Sequence, residues 1–488
     1  MHAHRFRNIT TMSILLMSLW HERAEAQCSA VVSSPEEASS CASSAIPDPK
    51  VTAIDPQHRY SLAELIDIGE RNNPKTRTIW ERTKQQAKLL GIEKSEYYPF
   101  LAAAALFAYE RVAQPFPKPL SPVGYSIADV PLIQPQIELQ YLLLDFGGRK
   151  ARVDAAKAQA LAAGAQFIKT NQDVAFSIST NYYTLLTARE RLQAASETLK
   201  TAQTTQDAAE ARLANGRATL PDVLNARAET AQANFDLEQA DGDEKIALVT
   251  LTDAIGVEPS PDISIDGGQN PPLPKSLTLT IDELISRALA DRPDLIAQML
   301  EIRKADDEIR NAEAAYKPRV TLSARVAQTA AWPMEVRPPA ELGHFNTPTW
   351  AVAVNVEWTI FDAGVRRNRK ELAESSKRQA IEELRDKRDQ AQREVWSSYI
   401  TFRTALRQQE SAVALLSAAE TSYSASLDAY RYGVKNLVDV VTAEKQLALA
   451  RLSSVSARSR VFSEAVRLEW VTGNLLRNRP SATTTQGK

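Results

Sequence analysis

The sequence predicts a mainly α protein with a small β part, built from one unit of long helical hairpins and paired strands used twice. Three observations carry that expectation: composition, an internal repeat, and a hydrophobic period that switches between seven and two. Of 488 residues 73 are Ala and only 16 are Gly, and Ala is the best helix former while Gly is among the worst. The length alone would allow about three domains at ~150 residues each.

Composition also excludes. With 58 basic and 60 acidic side chains the net charge is −2, so no basic excess exists to hold a phosphate backbone, and nucleic acid is not an expected partner. There are two Cys and five His, and His2, His4 and His21 fall at the extreme start. His58 and His344 remain, too few for a metal centre, so no metal and no cofactor are expected. Neither G-x-G-x-x-G, a Walker motif nor H-E-x-x-H occurs. Asp145-Phe146-Gly147 spells a kinase triplet without the loops that accompany it. No catalytic constellation emerges, and an enzyme is not expected.

Taken in order, residues 1–26 read as a secretory signal peptide. Arg5 and Arg7 precede the apolar run 12–20, and Ala24-Glu25-Ala26 supplies an A-x-A cleavage site. The run is too short to span a membrane, which takes about 20 apolar residues. Gln27 stands where a lipobox needs a small residue, which favours ordinary cleavage. Lipidation of Cys28 and its pairing with Cys41 both stay open. Residues 27–57, rich in Ser, Ala and Pro, read as a flexible leader.

The repeat follows. Ser61-Leu62-Ala63-Glu64-Leu65-Ile66 recurs as Thr280-Ile281-Asp282-Glu283-Leu284-Ile285, and Tyr98-Pro99 as Lys317-Pro318. Asp145-Phe146-Gly147-Gly148-Arg149 recurs as Asp362-Ala363-Gly364-Val365-Arg366. Gly216 matches Gly433, and Leu220-Pro221-Asp222-Val223 matches Leu437-Val438-Asp439-Val440. The first repeat is expected over 58–270 and the second over 271–475, with a disordered tail at 476–488.

Within each repeat, Pro marks the helices. None lies between Pro135 and Pro221 or between Pro348 and Pro480, and Pro breaks helix interiors. Val395, Phe402, Gln409, Leu416, Tyr423 and Tyr430 fall seven apart, with a companion row of Tyr399, Leu406, Val413, Glu420, Leu427 and Val434. That is a coiled-coil period. Ile178, Leu185, Leu192, Leu199 and Leu213 keep one row in the first repeat. Hairpins are expected near 146–256 and 363–473, with turns at Asn215-Gly216 and Tyr432-Gly433.

Just before each hairpin the period becomes two. Ile137, Leu139, Tyr141 and Leu143 alternate with polar residues, as do Val352, Val354, Val356, Trp358 and Ile360. Strands are expected near 100–112, 135–145, 319–328 and 350–361, long enough to span a bilayer. The Pro-rich segments 113–135 and 333–348 fit exposed loops between them. Trp332 and Trp358 fit either an interfacial aromatic girdle or a plain core. Four strands cannot close a membrane barrel, since the smallest have eight. Three chains would give twelve.

The duplication, the strand-to-helix junctions and the two tips, Ala211 to Arg227 and Tyr430 to Val440, resemble the TolC-like outer-membrane efflux proteins over residues 58–475. The resemblance implies a homotrimer in the cell outer membrane, with a 12-stranded β-barrel in lipid and an α-barrel in the periplasm. It implies the exit duct of a tripartite efflux or type I secretion system, giving passive passage to small molecules or proteins. Implied partners are a periplasmic adaptor (membrane fusion) protein and an inner-membrane pump.

Position by position, the resemblance assigns a periplasmic gate to Asp222, Tyr430, Lys435 and Asp439. It assigns adaptor contact to Asn215, Gly216, Arg217, Gly433 and Val434. The strand pattern expects Leu139, Tyr141, Val354, Val356 and Trp358 to face lipid. Two departures stand out. Thr442 occupies the place of a second acidic ring, and Lys435 stands where Arg is more usual, which loses bidentate pairing. The competing expectation is a periplasmic coiled-coil interaction protein without membrane insertion, which would leave the period-two strands unexplained.

Overall fold

The computed structural model describes residues 54–55, 57–115, 123–258, 263–266, 279–337 and 343–476. The signal peptide, both cysteines, most of the leader and the tail beyond 476 lie outside the described residues.

The first half runs β1 (Arg59–Tyr60), α1 (Leu62–Asn72), α2 (Pro74–Ser95), β2 (Phe100–Pro115), β3 (Tyr125–Leu144), α3 (Gly148–Ala214) and α4 (Leu220–Ile255). The second runs β4 (Ser264–Ile265), α5 (Ile281–Asp291), α6 (Pro293–Ala314), β5 (Arg319–Ala331), β6 (Met334–Arg337), β7 (Phe345–Glu357), α7 (Val365–Arg431) and α8 (Leu437–Val471). The halves match in length: 11 residues in α1 and α5, 22 in α2 and α6, 67 in α3 and α7. Each long helix therefore spans about 100 Å at 1.5 Å per residue. Among the described residues no helix is long and apolar enough to cross a membrane.

The same local chemistry starts corresponding helices. Ser61 with Glu64, and Thr280 with Glu283, close reciprocal capping boxes on α1 and α5. Pro74 and Pro293 then occupy first-turn positions of α2 and α6, where no N–H is needed. At the strand-to-helix junctions the Asp145 carboxylate accepts from the Arg149 N–H, and Asp362 accepts from the Arg366 N–H at 3.0 Å. These acids cap helices whose preceding residues, Phe146 at φ +52° and Ala363 at φ +52°, are left-handed without being glycine. A left-handed L-residue costs about 1–2 kcal/mol, so the carboxylate and the glycine that follows are what hold this turn.

Four long helices lie in the order α4, α3, α8, α7, as neighbour packs on neighbour. Inside each hairpin the seam is apolar. Leu65, Ile178, Leu185, Leu251 and Ile255 fill the core of α1, α3 and α4, and Val395, Phe402, Val461 and Val471 fill that of α7 and α8. The seam between hairpins differs. Along α3 and α8, the Trp470 indole donates to Asp173 at 2.7 Å, Arg191 to Ser456 at 3.1 Å, Arg451 to Thr201 at 3.2 Å, and Thr205 to Glu444 at 2.7 Å.

The strands form an antiparallel sheet in the order β2-β3-β5-β7, with β6 pairing the start of β3. Register sorts its faces. Leu101, Leu139, Ala324 and Val352 stand opposite one another on one face, and Tyr141, Leu322 and Val354 continue it. The other face carries Glu138 opposite Arg325 and Arg319 opposite Glu357, pairings of opposite charge that favour this register.

Three expectations change here. Strand β3 begins at Tyr125 rather than near 135, so Pro131 and Pro135 lie inside a strand instead of a loop. The sheet tolerates Pro135 because the ladder to β5 skips Gln134 and Pro135, where a missing N–H costs no bond. Pro131 lies beyond the end of that ladder, its carbonyl accepting from the Trp332 N–H at 3.0 Å. Strand β7 likewise begins at Phe345 and includes Pro348. Trp358 is not a strand residue: β7 ends at Glu357, and the Trp358 indole turns to donate to the Tyr316 carbonyl at 3.1 Å.

Two corners fix each hairpin to its short helices. The chain leaves α4 through Gly256 at φ +79°, where an added Cβ would lie 2.7 Å from the Asn73 Cα. The Asn73 amide donates to the Ala254 carbonyl at 2.8 Å. In the second half Gly473 lies against Arg292 less tightly, an added Cβ falling 3.2 Å from the Arg292 Cα. Arg292, buried, donates to Asp294 at 2.7 Å and to Glu394 at 2.6 Å. Burial alone would raise the Asp294 carboxyl, but the bonds and charge of Arg292 outweigh it and hold the group below its usual range. That pair contributes at neutral pH and is lost only as pH falls through the depressed Asp294 value.

Gly256→Ala should thus destabilise the protein by at least about 2 kcal/mol through strain and contact, whereas Gly91→Ala, with open space around it in α2, should stabilise by about 0.5–1 kcal/mol. Thermal melting of the detergent-solubilised protein checks both, and equal melting temperatures for the two variants would contradict this account of the corner.

Candidate functional site: the hairpin tips

The tips are built from two matched turns. After α3, Gly216 adopts φ +70° and the Arg217 N–H reaches back to the Arg212 carbonyl at 2.8 Å. After α7, Gly433 adopts φ +82° and the Val434 N–H reaches the Ala429 carbonyl at 2.8 Å. Both are glycine-terminated helix ends whose back-bonds satisfy otherwise orphaned carbonyls.

The next helices begin at once, and here two gate candidates have local work. Asp222 accepts from the Thr219 N–H at 2.9 Å and hydroxyl at 2.7 Å, closing the capping box of α4. Those bonds, from the Thr219 backbone first, lower its carboxyl below the usual range. Asp439 closes the matching capping box of α8 with Asn436, from whose N–H it accepts at 3.4 Å. Both acids therefore sit at positive helix N-termini.

Tyr430 is only 3% exposed and packs with Ala209, Val223, Leu427, Leu437 and Val440 in a small core joining the two tips. Burial raises its hydroxyl, which has no hydrogen-bond partner among the described residues. What holds Tyr430 is a residue the sequence did not single out. The Arg212 guanidinium stacks 4.4 Å from the Tyr430 ring, donates to the Tyr430 carbonyl, and donates to the Arg217 carbonyl at 3.2 Å. One side chain thereby clasps both tips. Its counterpart by repeat is Ala429, so symmetry gave no signal for it.

Lys435 turns to the Ser426 hydroxyl at 3.3 Å. Within the chain no hydrogen bond joins Asp222 to Tyr430 or Lys435. Around this centre the crest is open: Tyr432 is 87% and Val434 79% exposed, with Asn215, Gly216, Arg217 and Gly433 beside them. A cleft of about 660 Å³ separates the tips, walled by Asp207, Arg212, Arg217, Arg431 and Tyr432.

Residues 71–257 and 284–474 match the family described as "Outer membrane efflux protein". The chain belongs to that family. Among its relatives, Protein CyaE of Bordetella pertussis is 26% identical over 434 residues, covering 86% of this chain and 85% of CyaE. The "Probable outer membrane lipoprotein SilC" of Salmonella typhimurium is 25% identical, covering 81% and 80%. The solved structure of the outer membrane protein VceC from Vibrio cholerae has the same fold, with a TM-score of 0.70 at 22% identity over 84% of this chain and 96% of VceC. An outer membrane efflux protein thus resides in the outer membrane, extends into the periplasm and serves export. The long hairpins and the small sheet are the two parts of that fold.

If Arg212 is the clasp, Arg212→Ala removes charge-assisted bonds worth about 1.5–3 kcal/mol. Amide exchange should then accelerate across 205–217 and 427–440 with the rest of the protein unchanged. Unaltered exchange at both tips would place the clasp elsewhere.

Proposed function

We propose that three copies of this chain form the passive exit duct of a tripartite efflux or type I secretion system. The observation that carries this is the sheet: four strands with one continuous apolar face and two open edges, β2 and β7. Val356 is 66% exposed on that face, and Val354 and Trp350 are exposed with it. An apolar face and unpaired edges are costly in water. Closing three sheets edge to edge satisfies the edges, and lipid accepts the face. Leu139, Tyr141, Val354 and Val356 then face lipid, and Asn355 and Glu357 the lumen.

The same symmetry brings three pairs of tips to one mouth. Asp222, Tyr430 and Lys435 there hold neighbouring tips together, and Asp439 lines the closed opening. The Tyr430 hydroxyl lacks a partner among the described residues, and burial first, then the Asp222 charge, raises it, so a small shift of the tips gains a bond. Each such contact contributes from about 0–1 kcal/mol for an exposed pair to about 1.5–3 for a charge-assisted bond. Three copies sum to several kcal/mol, enough to keep a pore shut yet small enough for a docked partner to overcome. The exposed crest of Asn215, Gly216, Arg217, Gly433 and Val434 is the surface for the periplasmic adaptor, which joins the duct to an inner-membrane pump.

A charge on the lipid face near mid-bilayer costs about 2–4 kcal/mol, and one in the lumen far less. Val356→Arg should impair assembly much more than Asn355→Arg, read as outer-membrane level and heat-modifiable trimer on gels; equal values for both would sink the membrane assignment. In planar bilayers, Tyr430→Phe/Lys435→Ser should conduct more than wild type, while Asp439→Ala should mainly lose cation selectivity. A double variant that conducts like wild type would remove the latch from these residues.

A further inference from the structure

Glu444 is a carboxyl group placed where all four long helices meet. It is 6% exposed on α8. On α3, the Thr205 hydroxyl bonds its Oε2 at 2.7 Å, and Thr205 also lies 3.2 Å from the Tyr423 hydroxyl of α7. Tyr423 in turn bonds the Thr201 carbonyl at 3.3 Å. The nearby cations are engaged elsewhere. Lys445 pairs with Glu229 of α4 at 2.8 Å, Arg451 with Glu197 of α3 at 3.7 Å, and Arg431 of α7 with Asp428 at 3.7 Å. Among the described residues Glu444 has no ion pair of its own.

A buried carboxylate held by a single hydroxyl is costly, and its neutral form is far less so. The cost falls on the seam between hairpins, whose contacts at the level of Glu444 are the polar bonds of Thr205, Tyr423, Thr201 and Arg451, although aromatic stacks hold the same seam further from the tips. We propose that Glu444 is a proton-operated brace: neutral, it lets α8 lie against α3 and keeps the tips together, and ionised, it favours their separation. This regulates the gate proposed above and rests on that reading.

Charges around the site act in both directions. Burial raises the Glu444 carboxyl above the ordinary value of 4.5, the Thr205 bond lowers it, the Glu229 charge raises it and Lys445 lowers it, with a net rise. The sign follows. A group whose value is raised in the closed arrangement supports that arrangement at low pH and withdraws support as pH climbs through the raised value. Acid therefore shuts the mouth and neutrality loosens it.

The test uses the full chain in planar bilayers from about pH 5 to about pH 8. For each unit by which the Glu444 value differs between closed and open states, the equilibrium of one subunit shifts about tenfold. Wild type should open more readily as pH rises. Glu444→Gln, which keeps the shape and the Thr205 partner, should stay at the low-pH level throughout. A Glu444→Gln protein that keeps the wild-type pH slope overturns the brace. The second readout is the distance between spin labels at Gln203→Cys on α3 and Gln446→Cys on α8, with Cys28 and Cys41 replaced by Ser. It should lengthen with pH in the wild-type background and stay fixed with Glu444→Gln; no lengthening in the former also overturns the proposal. A protein that inserts yet never conducts would overturn the duct, while the label distance would still decide the brace.

Discussion

The two halves of the chain meet chiefly where β3 pairs β5 and where α3 packs on α6 and on α8, and much of the rest depends on those pairings. Each half holds a hairpin of long helices with an apolar interior and two strands with one apolar face. Neither half completes a wall by itself. The β3–β5 ladder makes four strands from two pairs, and the α3–α8 contact sets the hairpins side by side. The seams differ in chemistry. The strand seam is a regular backbone ladder with charges of opposite sign across it, which fixes register. The α3–α8 seam combines the stacks of Phe176 on Trp470 and Tyr183 on Phe462 with hydroxyl, amide and guanidinium contacts and one carboxyl, and those polar contacts fix position while being replaceable by water.

That difference separates what must be rigid from what can move. The apolar cores inside the hairpins and the corners at Gly256 and Gly473 anchor the ends of α4 and α8 against the short helices. At those corners the two halves solve one geometric problem with different residues. Asn73 bonds a helix-end carbonyl, whereas Arg292 does so weakly, at 3.5 Å, while holding two acids. Further along, toward the tips, polar contacts between the hairpins give way to the small apolar core around Tyr430 and the Arg212 clasp.

At the tips one residue serves two purposes. Asp222 and Asp439 cap α4 and α8, which accounts for an acid three residues after Thr219 and Asn436 without any appeal to function. Their side-chain oxygens nevertheless lie at the hairpin tips. A capping acid is thus available for a gate because helix starts already concentrate negative charge there. Tyr430 differs: burial and a stacked Arg212 hold its ring, and its hydroxyl is left over.

The sequence by itself determined the repeat, the extent of the hairpins, the glycine turns at their tips, and the alternating strands next to them. All of these are local: a seven-residue or two-residue period, a Pro-free stretch and a glycine at a helix end report backbone geometry within a few residues. The tertiary structure alone decided that α3 pairs with α8, that Arg212 clasps Tyr430, that Glu444 is buried, and that Pro131 and Pro135 lie inside β3. Periodicity shows that a stripe must be covered but not by what, and two similar repeats offer near-interchangeable partners. Nor does composition show where a strand ladder can skip a bond, so prolines that suggested a loop at 125–135 proved compatible with a strand. Which surface covers which is a sum over contacts between residues more than 200 apart, such as Thr205 and Glu444, and no local pattern carries that sum.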